Sequence, residues 1–283
     1  MLLWAGSFPA IAIGVRHVDP AALAAVRFAV AGTVLGAWLL WRGGPLPSPP
    51  EMVRVAACGL LGIALYNVLV NFGQRTVSPG AASFIISTQS LFAAALAHVL
   101  RQQRVGPAAV VGMGIGLAGV AIISIDGMPD AGFEPAVGTP LILLAAACSG
   151  ATFVLQRPLA VKYGAARSAG WTLLAGALLL LPWLPAGVEQ ASRSTEALLA
   201  VAFLALASGV VAYACWMIAL SGLGAARAAN LLVLMAPLAL VMAIPITGHL
   251  PDPATILGGA AALAGVLIVN SSYRRGPASL SEY

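Results

Sequence analysis

Charge is what this chain has least of. Aspartate, glutamate, lysine and arginine make up 8% of its 283 residues, against 60% hydrophobic residues. A soluble domain of ordinary composition carries roughly 25% charged residues, so a freely soluble protein of this length is excluded. Acid is scarcer than base, 9 residues against 14, for a formal net charge of +5. That sign alone would admit nucleic acid as a partner. The basic residues form no cluster, however, and stand between apolar runs as loops at a membrane surface require. No nucleic-acid partner is expected, and nothing in the sequence implies a protein partner.

Cysteine and histidine are nearly as sparse. Cys58, Cys148 and Cys215 are odd in number, make no CxxC and sit inside apolar runs. They read as small packing residues, not as a disulfide or metal framework. His17, His98 and His249 lie at the ends of runs, and no HExxH or phosphate-binding P-loop occurs. No metal, cofactor or nucleotide hydrolysis is therefore expected. The clustered nucleophile, base or metal ligands of a membrane enzyme are missing too.

What fills the chain is apolar sequence in lengths that suit a bilayer, about 20 residues per helix. Ten spans are expected: Met1–Val15, Pro20–Trp41, Met52–Phe72, Pro79–Leu100, Val105–Ile125, Thr139–Val161, Ser168–Pro185, Ala197–Leu220, Ala225–Thr247 and Pro253–Ser272. The breaks carry turn residues: Gly43-Gly44-Pro45, Asp126-Gly127, Pro185-Ala186-Gly187 and Pro251-Asp252-Pro253. Met1–Val15 has no basic leader and reads as a first span, not a cleaved signal. It is short for a span, which implies that a few leading residues lie outside this sequence.

Basic residues orient the bundle. With the N-terminus in the cytoplasm, the inner loops and C-terminus hold ten: Arg42, Arg54, Arg101, Arg104, Arg157, Lys162, Arg167, Arg227, Arg274 and Arg275. The outer loops hold three, Arg16, Arg75 and Arg193. Both termini are therefore expected in the cytoplasm of a multi-pass protein of the cell inner membrane.

The second half echoes the first. Leu117-Ala118-Gly119-Val120 recurs as Leu263-Ala264-Gly265-Val266, and Gly62 and Tyr66 recur as Gly209 and Tyr213. The offset is 146 to 147 residues. The expected fold is an all-α integral membrane protein of ten transmembrane helices, with repeats over residues 1–136 and 137–283. Five spans per repeat is an odd number, so the halves must be inverted. That is the plan of many carriers, with the site where the halves meet.

Several local signatures follow the order of a known family: Trp4-Ala5-Gly6-Ser7-Phe8, Arg27-Phe28, Gly80-Ala81-Ala82, Gly112 with Gly119, and Met235-Ala236-Pro237-Leu238. On these the chain resembles the EamA branch of the drug/metabolite transporter superfamily, over nearly its whole length. Within it the chain is most similar to the YddG-like amino-acid exporters. It departs at Gln89-Ser90, where the family has a proline pattern. It departs again at Arg101-Gln102-Gln103-Arg104, where a glutamate is common, so no role resting on that carboxylate is carried over.

Polar side chains inside a bilayer are costly and turn toward the bundle interior. Helical spacing gathers them into stripes. The third span has Asn67, Asn71 and Gln74 with Tyr66 alongside. The fourth has Ser83, Ser87 and Ser90, and the sixth Ser149, Thr152, Phe153 and Gln156. The first adds Trp4, Ser7 and Phe8, the eighth Ser208, Tyr213 and Trp216, and the ninth Asn230. Substrate contacts are expected from Trp4, Ser7, Phe8, Tyr66, Asn67 and Asn71 in the first half, with Ser87 and Ser90. The second half is expected to contribute Thr152, Phe153, Tyr213, Trp216 and Asn230. The competing reading gives the hydroxyls and amides to helix packing, and Trp4 to the interfacial aromatic belt that suits Trp38, Trp41 and Trp183. Pro9 and Pro237 are hinge candidates or static kinks.

Arg27 is the one basic residue well inside a span, about 10 Å in from Pro20 at the helical rise. It either attracts a substrate carboxylate or, as the sequence favours, snorkels to the outer surface or meets backbone carbonyls. No acid is expected in the interior: all nine lie at span ends or in loops. Gly112, Gly116, Gly258 and Ala262 allow close helix approach, so the fifth and tenth spans are expected to pack near the repeat axis, away from the cavity. Spans one, three, four, six, eight and nine would line it. The sequence thus reads as a carrier of a small-molecule substrate, with amino acids first. Nucleosides, nucleotide sugars and organic cations are the alternatives, and a channel or purely structural protein is the remaining class.

Overall fold

The computed structural model describes residues 1–102, 105–125, 135–223, 231–248 and 250–274. Every regular element among them is helical. Eight helices are long and apolar enough to cross a membrane: Pro20–Arg42, Pro49–Gly73, Pro79–Val99, Pro107–Ser124, Val137–Tyr163, Ala165–Ser192, Thr195–Trp216 and Pro253–Ser272. Two shorter apolar helices, Leu2–Gly14 and Leu232–Ile246, occupy the first and ninth places. Asn230 and the turn Asp126-Gly127 lie outside the described residues, as do Arg104, Arg227 and Arg275 of the charge count.

Most starts are built by local chemistry. Asp19 accepts from the Ala21 amide at 3.0 Å, with Pro20 at the first helical position. Ser78 and Ser194 cap their helices in the same way. Pro at the first position gives up only a donor that would lack a partner anyway. The seventh span corrects the expectation of a turn at Pro185-Ala186-Gly187. Its helix Ala165–Leu180 passes through a 3-10 turn, Leu181–Trp183, into a further helix, Leu184–Ser192. Pro182 and Pro185 fall in the first turns of new segments, where they begin helix instead of ending it.

The fifth and tenth spans meet backbone to backbone. A Cβ on Gly112 would stand 2.9 Å from the Gly265 carbonyl oxygen, and one on Gly258 would stand 2.5 Å from the Gly119 oxygen. Gly112 and Gly119 correspond in the repeat to Gly258 and Gly265. The contacts thus run from each residue to the counterpart of the other, the pattern of a two-fold axis between antiparallel helices. An axis of this kind inverts the second half relative to the first.

Loop contacts sort into two ends. At one, the Asp19 amide donates to Gln190 at 2.8 Å, His17 lies 3.2 Å from Glu196, and Arg75 lies 4.0 Å from Asp19. At the other, Lys162 and Tyr163 both reach Glu51, at 2.8 and 2.7 Å, and Arg167 donates to the Gly43 carbonyl. Each end joins the first half to the second. Trp41 is exposed near the end of its span, as a belt residue should be, whereas the continuation to Ser192 leaves the exposed Trp183 nine residues short of the end of the seventh span.

Candidate functional site

Five spans are interrupted where they face the interior. Pro9 and Pro237 each sit in the first turn of a helical segment, Ser7–Gly14 and Met235–Thr247, just after a break. The break before Met235 is a 3-10 turn, Leu232–Leu234. The fourth span breaks at Thr88 with no proline. There Ser87 and Thr88 bond back to the carbonyls of Phe84 and Ile85, each at 2.6 Å, in competition with the helix ladder. The third and eighth spans instead widen into π-helix, Leu60–Leu65 and Phe203–Val211. These include the repeat-related Gly62 and Gly209 and run up to the level of Tyr66 and Tyr213. π-Helix is rare and concentrates at functional sites.

The two π segments hold one polar cluster. In the third span the Ile63 carbonyl accepts from Asn67 Nδ2 at 2.7 Å. In the eighth, the Ser208 carbonyl accepts from Trp4 Nε1 at 3.2 Å. Between them lies Arg27, whose Nη1 donates to Asn67 Oδ1 at 3.3 Å and Nη2 to Ser208 Oγ at 3.1 Å. It is 8% exposed and the only buried charged side chain among the described residues. Its guanidinium carbon lies 4.9 Å from the Phe28 ring centroid. The expected snorkelling is therefore corrected: the partners that hold Arg27 come from interior faces of the third and eighth spans.

A cavity of about 220 Å³ opens beside this cluster, between the halves. Of the expected contact residues, Trp4, Ser7, Phe8, Tyr66 and Asn67 line it from the first half. Thr152, Phe153, Tyr213 and Trp216 line it from the second. The Trp4 ring meets Tyr213 edge-on and Trp216 at a tilt, both at 5.4 Å, so Trp4 belongs to the interior and not to the belt. Ser87 and Ser90 line a second, adjoining cavity of about 280 Å³. Gln89, Phe153, Leu232 and Met235 border both. From there the second cavity follows the fourth and sixth spans to Gln102 and Arg157. Neither cavity has an acidic side chain among its described lining residues.

Asn71 joins neither cavity. It donates to the Pro20 carbonyl at 2.8 Å, one helical turn beyond Asn67, where the second span begins. The lining also exceeds what the sequence indicated. The second span contributes Arg27 and Phe28, the seventh Ala169 and Thr172, and the tenth Val266 and Asn270 in the second cavity. Thr172 accepts from Gln156 at 3.1 Å. Ser168 and Thr172, four residues apart on one helix, were the available signal for the seventh span. Ser149 donates to Gln89 at 2.6 Å, which ties the sixth span to the fourth beside the cavity.

A membrane bundle of two inverted helical repeats, with a polar and aromatic cavity between them, defines a transporter. The comparisons make this specific. The chain belongs to the EamA-like transporter family, whose description matches residues 1–125 and 136–271. It is 31% identical over 276 residues to the probable terminal-alkyne amino-acid exporter of Streptantibioticus cattleyicolor, covering 95% of this chain and 90% of that one. It is 31% identical to the uncharacterized transporter YdfC of Bacillus subtilis, covering 93% and 86%. It is 30% identical to the uncharacterized inner membrane transporter YedA of Escherichia coli, covering 76% and 70%. A solved crystal structure at 22% identity matches the fold with a TM-score of 0.59 over 96% of this chain and 97% of that one. The protein is a multi-pass membrane transporter and not an enzyme.

Proposed function

We propose that this transporter exports amino acids and related small metabolites across the cell inner membrane by alternating access. Its specificity is broad and includes aromatic and other neutral amino acids. One observation carries the reading: a single-solute cavity at the seam of the halves, walled by Trp4, Tyr66, Tyr213 and Trp216 and free of acid among the described residues. Amides and hydroxyls suit the polar end of an amphipathic solute, and aromatic walls suit its side chain. A cationic drug would favour a buried carboxylate partner, and the described lining offers none. The name of the Streptantibioticus relative supports the same solute class. The second cavity leads toward Gln102 and Arg157, the end that the basic residues assign to the cytoplasm. The described cavity also lacks a carboxylate to relay protons, which favours facilitated diffusion.

Purified protein in liposomes tests the reading by counterflow of labelled phenylalanine. Several neutral amino acids should compete with one another, because apolar packing discriminates by only about 1–3 kcal/mol per methylene-sized difference. Blocking both the amino and the carboxyl group should abolish competition. Transport of a nucleoside, nucleotide sugar or organic cation, with no free amino acid moved, refutes the substrate assignment.

A further inference from the structure

Arg27 is an expensive residue to keep where it is. A cation buried in a membrane interior is normally paired with an acid or with backbone carbonyls. Here its two hydrogen bonds, at 3.3 and 3.1 Å, go to a neutral amide and a neutral hydroxyl. Its Nε–H is buried with no partner at all. A guanidinium presents five donors in a planar fork, a shape that matches a carboxylate with two parallel bonds. Arg27 lines the central cavity together with Trp4, Tyr213 and Trp216, and the Trp4 ring packs against the other two.

We propose that Arg27 is the anchor for the carboxylate of the transported solute, and that Asn67 and Ser208 hold the guanidinium in position to receive it. The site accordingly takes organic monocarboxylates with an apolar or aromatic tail. The ammonium group has no acidic counterpart among the described lining residues, so it is dispensable for binding. Acids that lack the amino group are ligands, and amines that lack the carboxylate are not. This inference rests on the carrier reading above and adds to it the group that is recognised and the residue that recognises it.

A matched pair of probes separates charge from shape: 3-phenylpropanoate and its neutral amide, 3-phenylpropanamide. Binding is read by quenching of tryptophan fluorescence in detergent, and again by competition in the phenylalanine counterflow assay. In the unmodified protein the acid should bind about tenfold more tightly than the amide, or better, as hydrogen bonds to a charged donor imply. R27Q should remove that preference, and R27K, a point charge without the fork, should retain part of it. Equal binding of acid and amide by the unmodified protein overturns the proposal, as does failure of both to bind. The unmodified comparison decides the matter even where R27Q does not fold. A folded R27Q that keeps the preference also overturns it. Transport of neutral amino acids without acid preference refutes the anchor and leaves the carrier reading intact. An Arg27-dependent acid preference without amino-acid transport does the reverse.

Discussion

Asn67 and Asn71 stand four residues apart on one helix, yet they meet different surroundings. Asn67 borders the cavity and accepts from Arg27, whereas Asn71 closes on the Pro20 carbonyl outside it. Asn67→Ala should therefore lower the counterflow rate per folded molecule several-fold or more, and should also cost stability, because the buried Arg27 loses an acceptor and the Ile63 carbonyl a donor. Asn71→Ala should differ in turnover, with about 1–3 kcal/mol of stability lost but a near-normal rate, because a buried acceptor loses its donor outside the cavity. Thermal melts and counterflow on the same preparations check both. Matching profiles in the two variants would mean that the stripe acts as one unit. The stripe itself was legible in the sequence, since amides at helical spacing must avoid lipid. Which member meets the solute was not, because that depends on where the second span begins against it. The direction of Arg27 was hidden for a similar reason. Its depth of about 10 Å allows either an outward or an inward reach. The choice is made by Asn67 and Ser208, 40 and 181 residues away in sequence.

Among the elements, run length and turn residues located the spans, and the glycine pattern located the seam. The interruptions were less legible. Prolines flag the breaks near Pro9 and Pro237, but at Thr88 hydroxyls bonding back to the ladder do the same work, and serine and threonine are too common to signal it. The π segments have no sequence signature of their own. Each holds a glycine that a neighbouring helix approaches closely: a Cβ would stand 2.6 Å from the Thr152 methyl at Gly62 and 3.2 Å from Ala31 Cβ at Gly209. The seam makes a sharper prediction. Gly119→Leu would drive a side chain into the backbone of Gly258 and Ala262, and should cost about 1–3 kcal/mol or prevent folding. Gly114→Leu, on the same helix with nothing within 4 Å, should be tolerated. Membrane yield and melting temperature of the pair give the result. Equal tolerance would remove the seam as a structural requirement.

At the scale of the whole molecule, the loop contacts divide the described loops into two sets, and the basic residues assign each set to a side. Labelling of single cysteines in a background without Cys58, Cys148 and Cys215 checks the assignment. Leu46→Cys, in an exposed loop of the basic-rich end, should be protected from an impermeant reagent in intact cells. Ser192→Cys, exposed at the other end, should react. The reverse pattern would turn the proposed export path around without altering the fold. The seam would also set the leverage of the proposed alternating access. Glycine backbones touch between the fifth and tenth helices, flanked by the Ile123 and Ile268 side chains, so in the proposed rocking that pair would serve as the fulcrum. Helices stand about 8–10 Å apart. A point two helices from the fulcrum is thus roughly 20 Å away, and a turn of about 10° there sweeps about 3.5 Å. That is close to the thickness of an aromatic ring, so in the proposed cycle a modest roll at the glycines would be enough to part or close the tryptophan and tyrosine walls on a solute.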